Sequence, residues 1–126
     1  MAALSNYHAG ALLNTSLRSG DRYIGLFLST PGATNNGVEV AGGGYARKPI
    51  TFSQPEAVNG KQQVTNDSEI DFGAMTADIG TVSFWGIYDA ASGGNLLWFG
   101  PFSRSRNILT GDAIIIKPEA IVCNLS

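Results

Sequence analysis

Cysteine, histidine and charge are all scarce in this sequence, and each scarcity excludes something. A single cysteine, Cys123, among 126 residues allows no internal disulfide, so no oxidising compartment is implied. It lies in the apolar run Ala120 to Leu125 and reads as an inert, buried strand residue. A reactive thiol would need a basic partner, and the lone histidine, His8, is far away in the chain. One histidine and one cysteine leave no zinc-type ligand pattern, and no cofactor is expected. Charged residues are 14% of the chain against roughly 25% in an average soluble domain. With a net charge of −2 there is no basic cluster to hold nucleic acid or an anionic membrane surface. No apolar run approaches the roughly 20 residues of a bilayer span, and the basic flank and hydrophobic centre of a signal peptide are missing. The reading is a soluble chain made in the cytoplasm. A surface this poor in charge has to be covered by Ser, Thr, Asn and Gly or by other protein. That points to an assembled subunit, with a small neutral β-domain as the plainer alternative.

What the sequence does contain is apolar (44%) and rich in glycine (16 residues). The stretch Phe84 to Pro101, FWGIYDAASGGNLLWFGP, sets two aromatic-rich runs on either side of a turn from Asp89 to Gly94. Strand formers flanking a Gly-Gly turn predict an antiparallel hairpin. Alternation places Trp85 and Ile87 on one face, with Val82, Phe84 and Tyr88 on the other. A helix is predicted over Leu4 to Leu17, where Ala9, Leu13 and Leu17 recur four apart, Leu12 widens the stripe and Leu4 and His8 continue it. Ser5 or Asn6 caps its start and Ser19-Gly20 its end. On that helix His8 reads as a packed residue. A helix this short needs a docking surface, on its own sheet or on a neighbour.

From Asp21 onward the period is two. Arg22 to Ser29 is apolar on both faces and predicts a central strand. Further strands are expected at Arg47 to Ser53, Glu69 to Phe72, Thr81 to Tyr88, Asn95 to Phe99, Asn107 to Leu109, Asp112 to Lys117 and Ala120 to Leu125. Thr30 to Gly37 reads as a surface loop. Short strands separated by Asn-Gly, Gly-Gly and Thr-Gly-Asp turns predict an all-β fold, a mainly antiparallel β-sandwich or jelly-roll-like barrel, with one short N-terminal helix. The expected organisation is a helix or arm over residues 1–20 and a β-sandwich domain over 21–126.

The chemical motifs each fail. Gly42-Gly43-Gly44 lacks the Lys-Ser/Thr ending and following helix of a phosphate loop and reads as a turn or a close backbone approach. Asp67, Glu69 and Asp71 share a parity that could suit weak calcium binding, but a solvated strand face is the better reading. No Gly-x-Ser-x-Gly elbow occurs. Arg104 and Arg106 alternate with Ser103 and Ser105, so both point one way, outward or toward a subunit boundary. The sequence therefore predicts no enzyme. Its candidate interface residues are Leu12, Leu13 and Leu17 of the helix, Tyr45 and Arg47 of the glycine-rich loop, and Arg104 and Arg106.

The order LSNYHAGALLNTSLRS, YIGLFLSTPG, EVAGGGYARKPITF, SEIDFGAMTADIGTVSFWGIYDAASGGNLLWFGPF and LTGDAIIIKPEAIVCNL resembles a family of small tailed-bacteriophage virion proteins, often labelled phage tail fibre proteins. The resemblance runs from Leu4 to Leu125 and is most specific at Glu39 to Arg47 and Gly80 to Gly100. It implies a virion structural component, of tail-fibre or tail-accessory type, acting by assembly with other phage structural proteins and as a homo-oligomer. A capsid decoration (cement) protein is an alternative of the same class. A carbohydrate-binding module is one of another class, with Tyr45, Trp85, Tyr88 and Trp98 as stacking platforms for a host-surface glycan.

Overall fold

Alternation with period two governs the chain after its N-terminal helix, and the strands follow from it. The computed structural model describes residues 3–125, so positions 1, 2 and 126 of the expected domain ranges lie outside the described residues. Helix α1 (Asn6–Leu17) opens with Ser5, whose hydroxyl accepts the His8 backbone N–H at 3.2 Å, so the helix starts two residues later than its apolar stripe suggests. Nine strands follow: β1 (Tyr23–Phe27), β2 (Lys48–Pro49), β3 (Glu56–Val58), β4 (Lys61–Thr65), β5 (Ile70–Ala74), β6 (Gly80–Tyr88), β7 (Leu96–Ile108), β8 (Ala113–Ile116) and β9 (Val122–Leu125).

All pairings are antiparallel and fall into three sheets, ordered β2-β1-β6-β7, β3-β4-β9 and β5-β8. β1 is central, with Ile24, Gly25, Leu26 and Phe27 all buried, as its two apolar faces require. One hydrophobic core draws on every sheet and on the helix: Leu13 and Leu17 meet Ile24, Leu26, Val64, Phe72, Trp85, Ile87, Ile116 and Cys123 within it. The fold is all-β and antiparallel with one short N-terminal helix.

Several boundaries differ from the expectation for physical reasons. Arg47 to Ser53 forms only the two-residue β2 and an isolated bridge at Phe52, since Pro49 has no N–H to extend a ladder. The segments from Asn95 and Asn107 join into one 13-residue strand, β7. A register shift between Val82 and Phe84 breaks simple alternation there. Val82 consequently joins Trp85 and Ile87 in the core cluster, rather than the face of Phe84 and Tyr88. The β3–β4 hairpin around Asn59-Gly60 was not among the expected strands, because its polar residues (EAV, KQQVT) show little apolar alternation. His8 is exposed, as is Leu12 at 39%; the buried side of α1 is Ala9, Gly10, Leu13 and Leu17. The helix packs this side on β4 and β9.

Candidate functional site

The segment that follows the first long loop carries the densest polar geometry in the molecule. Glu39 bridges to the edge of β1 through an isolated pairing with Phe27, and its carboxylate accepts two parallel bonds from Arg47, Nε to Oε2 and Nη2 to Oε1, each 2.9 Å. This is the fork-on-fork geometry that guanidinium and carboxylate share. The Tyr45 hydroxyl donates to Glu39 Oε2 at 2.6 Å and accepts the Leu26 N–H at 2.9 Å, tying the loop to the central strand. Arg47 Nη1 then reaches the carbonyls of Ala90 (3.1 Å) and Gly93 (2.7 Å) in the β6–β7 turn. Arg47 thus clamps the hairpin turn to the loop, and its side chain is only 8% exposed.

Two glycine features make room for this cluster. A Cβ on Gly25 would stand 2.8 Å from Glu39 Oε2 and 3.1 Å from the Tyr45 hydroxyl, so β1 has no side chain where the carboxylate sits. Gly42, Gly43 and Gly44 all have positive φ, and the Gly43 carbonyl accepts the Thr76 N–H at 2.9 Å. The triple glycine is a backbone turn in close contact with the β5–β6 connection, as its lack of a phosphate-loop context suggested.

Electrostatics follow the packing. Burial, and then the bond to Glu39, raise the Tyr45 phenol well above its ordinary value of 10.0. The bonds to Glu39 hold the Arg47 guanidinium more firmly protonated despite its burial. Burial likewise raises Tyr88, partly countered by the Arg47 charge over its ring. Cys123, in the core beside the helix, is pushed up to about 12 by burial alone. A thiol held protonated in this way is not a nucleophile at neutral pH.

The seven residues singled out in the sequence are therefore placed differently from one another. Leu13 and Leu17 are fully buried in the chain's own core, and Tyr45 and Arg47 are engaged in the clamp. Leu12, Arg104 and Arg106 face solvent. The two arginines, with Phe102 and Ile115, form the rim of a cleft of about 150 Å³ between β7 and β8, floored by core side chains such as Leu26 and Ile116. Neither arginine has an ion-pair partner among the described residues, where Arg47–Glu39 is the one salt bridge.

The aromatic residues are also mostly committed. Trp85 and Tyr88 are buried, Tyr45 stacks on Phe72, and Trp98 Nε1 donates to Ser16 Oγ at 2.8 Å, pinning β7 to the helix. Trp98, exposed Phe99, Pro101 and Phe102 line a shallow groove of about 450 Å³ toward Val122. Among the described residues no group of three or more His, Cys, Asp or Glu side chains is placed to hold a metal ion, and no helix is long and apolar enough to cross a membrane.

Sequence reasoning missed Glu39, the anchor of the clamp, although a lone carboxylate between Val38 and Val40 was a visible signal. It also missed Asn66, a fully buried polar residue that no pattern in the sequence marks.

Residues 3–124 match the family described as Podophage GP4 fiber I protein gp80. No curated protein matches the chain. The match spans nearly the whole described chain, and the protein belongs to that family of phage fibre proteins.

Proposed function

We propose that this protein is a structural subunit of a podophage tail fibre, which acts by assembling with copies of itself and with other phage structural proteins. The observation that carries the reading is the family match over residues 3–124. The geometry is consistent with it. The polar network that looks most like a site, Glu39–Tyr45–Arg47, is directed inward and holds the fold together. Side chains free to meet other molecules include the charged and apolar groups along β7 and β8. This reading assigns no catalytic residue and no cofactor.

The cement-protein alternative differs in copy number, which is far higher for a capsid-covering protein than for a tail component. The glycan alternative loses three of its four aromatic platforms to burial and packing, and retains only Trp98 with its neighbour Phe99. The test is negative-stain imaging of virions labelled with antibody raised against the protein. Label on the tail fibres is expected, whereas label confined to the capsid, or unlabelled particles, would overturn the proposal.

A further inference from the structure

Between its pairings with β6 at Pro101 and at Arg106, β7 carries four residues, Phe102 to Ser105, opposite the single residue Ser83. Bulges of this kind re-aim side chains at the edge of a sheet, and β7 is an edge strand. Phe102 and Arg104 in the bulge, and Arg106 just after it, all line the cleft of about 150 Å³ between β7 and β8. Arg106 is the cross-strand partner of Val82, a buried core residue, and partners across a ladder share a face. Ile108, two residues further along β7, is buried too. Arg106 therefore springs from the core-ward side of its sheet, and it is exposed where the cleft opens.

The cleft walls include Leu26, Val82, Ile108, Ile114 and Ile116, all buried. No acidic residue lines it, and neither arginine has an ion-pair partner among the described residues. A cavity of about 150 Å³ lined by Leu, Ile and Phe is large enough to hold benzene, so this one fits a single side chain of leucine or phenylalanine size. Apolar anchors seated in pockets, with arginine beside them, dominate the energetics of protein interfaces. Two guanidiniums without a carboxylate of their own call for carboxylates from outside, which they bind through paired, charge-assisted hydrogen bonds. An inward charge on an edge strand also guards that edge against wrong pairing. One arginine over a filled core would do that, and neither the second arginine nor the cleft is needed for it.

We infer that this cleft is a docking site for an acidic segment of another virion protein, which seats one side chain of leucine or phenylalanine size among Leu26, Val82 and Ile116 and sets flanking carboxylates against Arg104 and Arg106. Charge complementarity identifies the occupant: the rim is basic and unpaired, and the floor is apolar. The inference rests on the assembly reading above and adds to it the surface and the kind of partner. Opposite charges at the rim of a contact set register and exclude wrong partners, and their effect is screened by salt.

Methyl NMR of the full chain, titrated with the peptide acetyl-Gly-Glu-Leu-Glu-Gly-amide, tests it. Saturable shifts are expected at the methyl groups of Leu26, Val82, Ile108 and Ile116, with affinity falling as salt is raised. A peptide with Gln in place of both Glu, and one with Gly in place of Leu, should each bind roughly tenfold more weakly or worse. Arg104→Gln/Arg106→Gln alters two exposed side chains and should bind the acidic peptide no better than the neutral one. Circular dichroism checks its folding, and Arg104→Gln alone takes its place if the pair unfolds the chain. Silent cleft methyls, equal binding of either control peptide, or an unchanged affinity in the folded variant would each overturn the inference. Ultracentrifugation of both proteins covers the other occupant: self-association that the double substitution abolishes would give the cleft to a second copy and overturn the choice of partner. Incorporation into virions is scored separately. A variant that loses the peptide yet enters fibres normally would sink this docking site and leave the fibre assignment standing, whereas fibres without the unmodified protein would sink the assignment itself.

Discussion

The guanidinium carbon of Arg47 lies 3.6 Å from the centroid of the Tyr88 ring, at the point where the β6–β7 hairpin begins to turn. Tyr88 in turn stacks on Phe27 of β1, with centroids 6.1 Å apart, and its hydroxyl donates to Asn35 Oδ1. Arg47 therefore joins the Glu39 carboxylate, an aromatic face and two turn carbonyls at once. A lysine carries a point charge and cannot reproduce that fork. Arg47→Lys should lower unfolding free energy by about 1–3 kcal/mol, and Arg47→Ala by more, because Glu39 is left half-buried without its partner. Urea denaturation measures both; an unchanged midpoint for Arg47→Ala would show that the clamp contributes nothing to stability.

Trp85 and Ile87 belong to the common core and Leu13 brings the helix into it. Replacing any of the three with alanine should cost roughly 2–5 kcal/mol, as large-to-small core changes do. The informative comparison is Leu12→Ala, which removes an exposed leucine from the same helix and should stay within about 0.5 kcal/mol. Equal losses at Leu12 and Leu13 would mean that the helix is docked differently.

Asn66 is fully buried, and its side chain satisfies three backbone groups. It accepts the Ile121 N–H at 2.9 Å and donates to the carbonyls of Lys117 (2.8 Å) and Ser68 (3.1 Å). Asn66→Ala removes all three bonds and leaves the Ile121 N–H and the Ser68 carbonyl without these partners, while the Lys117 carbonyl keeps only the Ala120 N–H at 3.3 Å, which should cost about 3 kcal/mol or more. Asn66→Asp, close in shape, should be nearly as damaging, since a carboxylate cannot donate to the two carbonyls. Thermal unfolding of the two variants decides the matter: a tolerated aspartate would show that the donor bonds are dispensable.

Alkaline pH should unfold this protein in a defined order. Folding raises Cys123 from its ordinary 9.0 to about 12, and raises Tyr45 and Tyr88 above 10.0. The folded state holds these protons more tightly than the unfolded chain, so their contribution is intact below pH 9 and is lost as pH rises beyond it. Each group that has titrated only in the unfolded chain takes away about 1.4 kcal/mol per pH unit. Cys123→Ala should remove the part that begins near pH 9, and leave the part that begins near pH 10. A stability curve that stays flat from pH 8 to 11 would contradict the burial of all three groups.

The legibility of the sequence followed the physics of each element. β1, β6 and β8 were visible because both their faces, or one strictly alternating face, are apolar, and burial of those residues is what holds them. The β3–β4 hairpin was obscured because its stability comes from the Asn59-Gly60 turn, with Asn59 at φ 51°, and from pairing with β9, neither of which shows as hydrophobic periodicity. The glycine-rich loop was picked out as distinctive, and Tyr45 and Arg47 with it. That their polar atoms turn inward depended on a vacancy at Gly25 some twenty residues upstream, a relationship between distant positions that no local pattern carries.

Helix α1 rests on β4 and β9, the last strand described. During synthesis the helix therefore emerges long before its seat exists. From Leu17 to the end of β9 another 108 residues must be made, which at bacterial rates of about 5–20 residues per second takes roughly 5–20 s. Through that interval Leu13 and Leu17 have at most the part of their native cover that β4 supplies, and β1 waits likewise for β6. The interval between first helix and last strand sets the window in which subunits are most vulnerable to premature, wrong association.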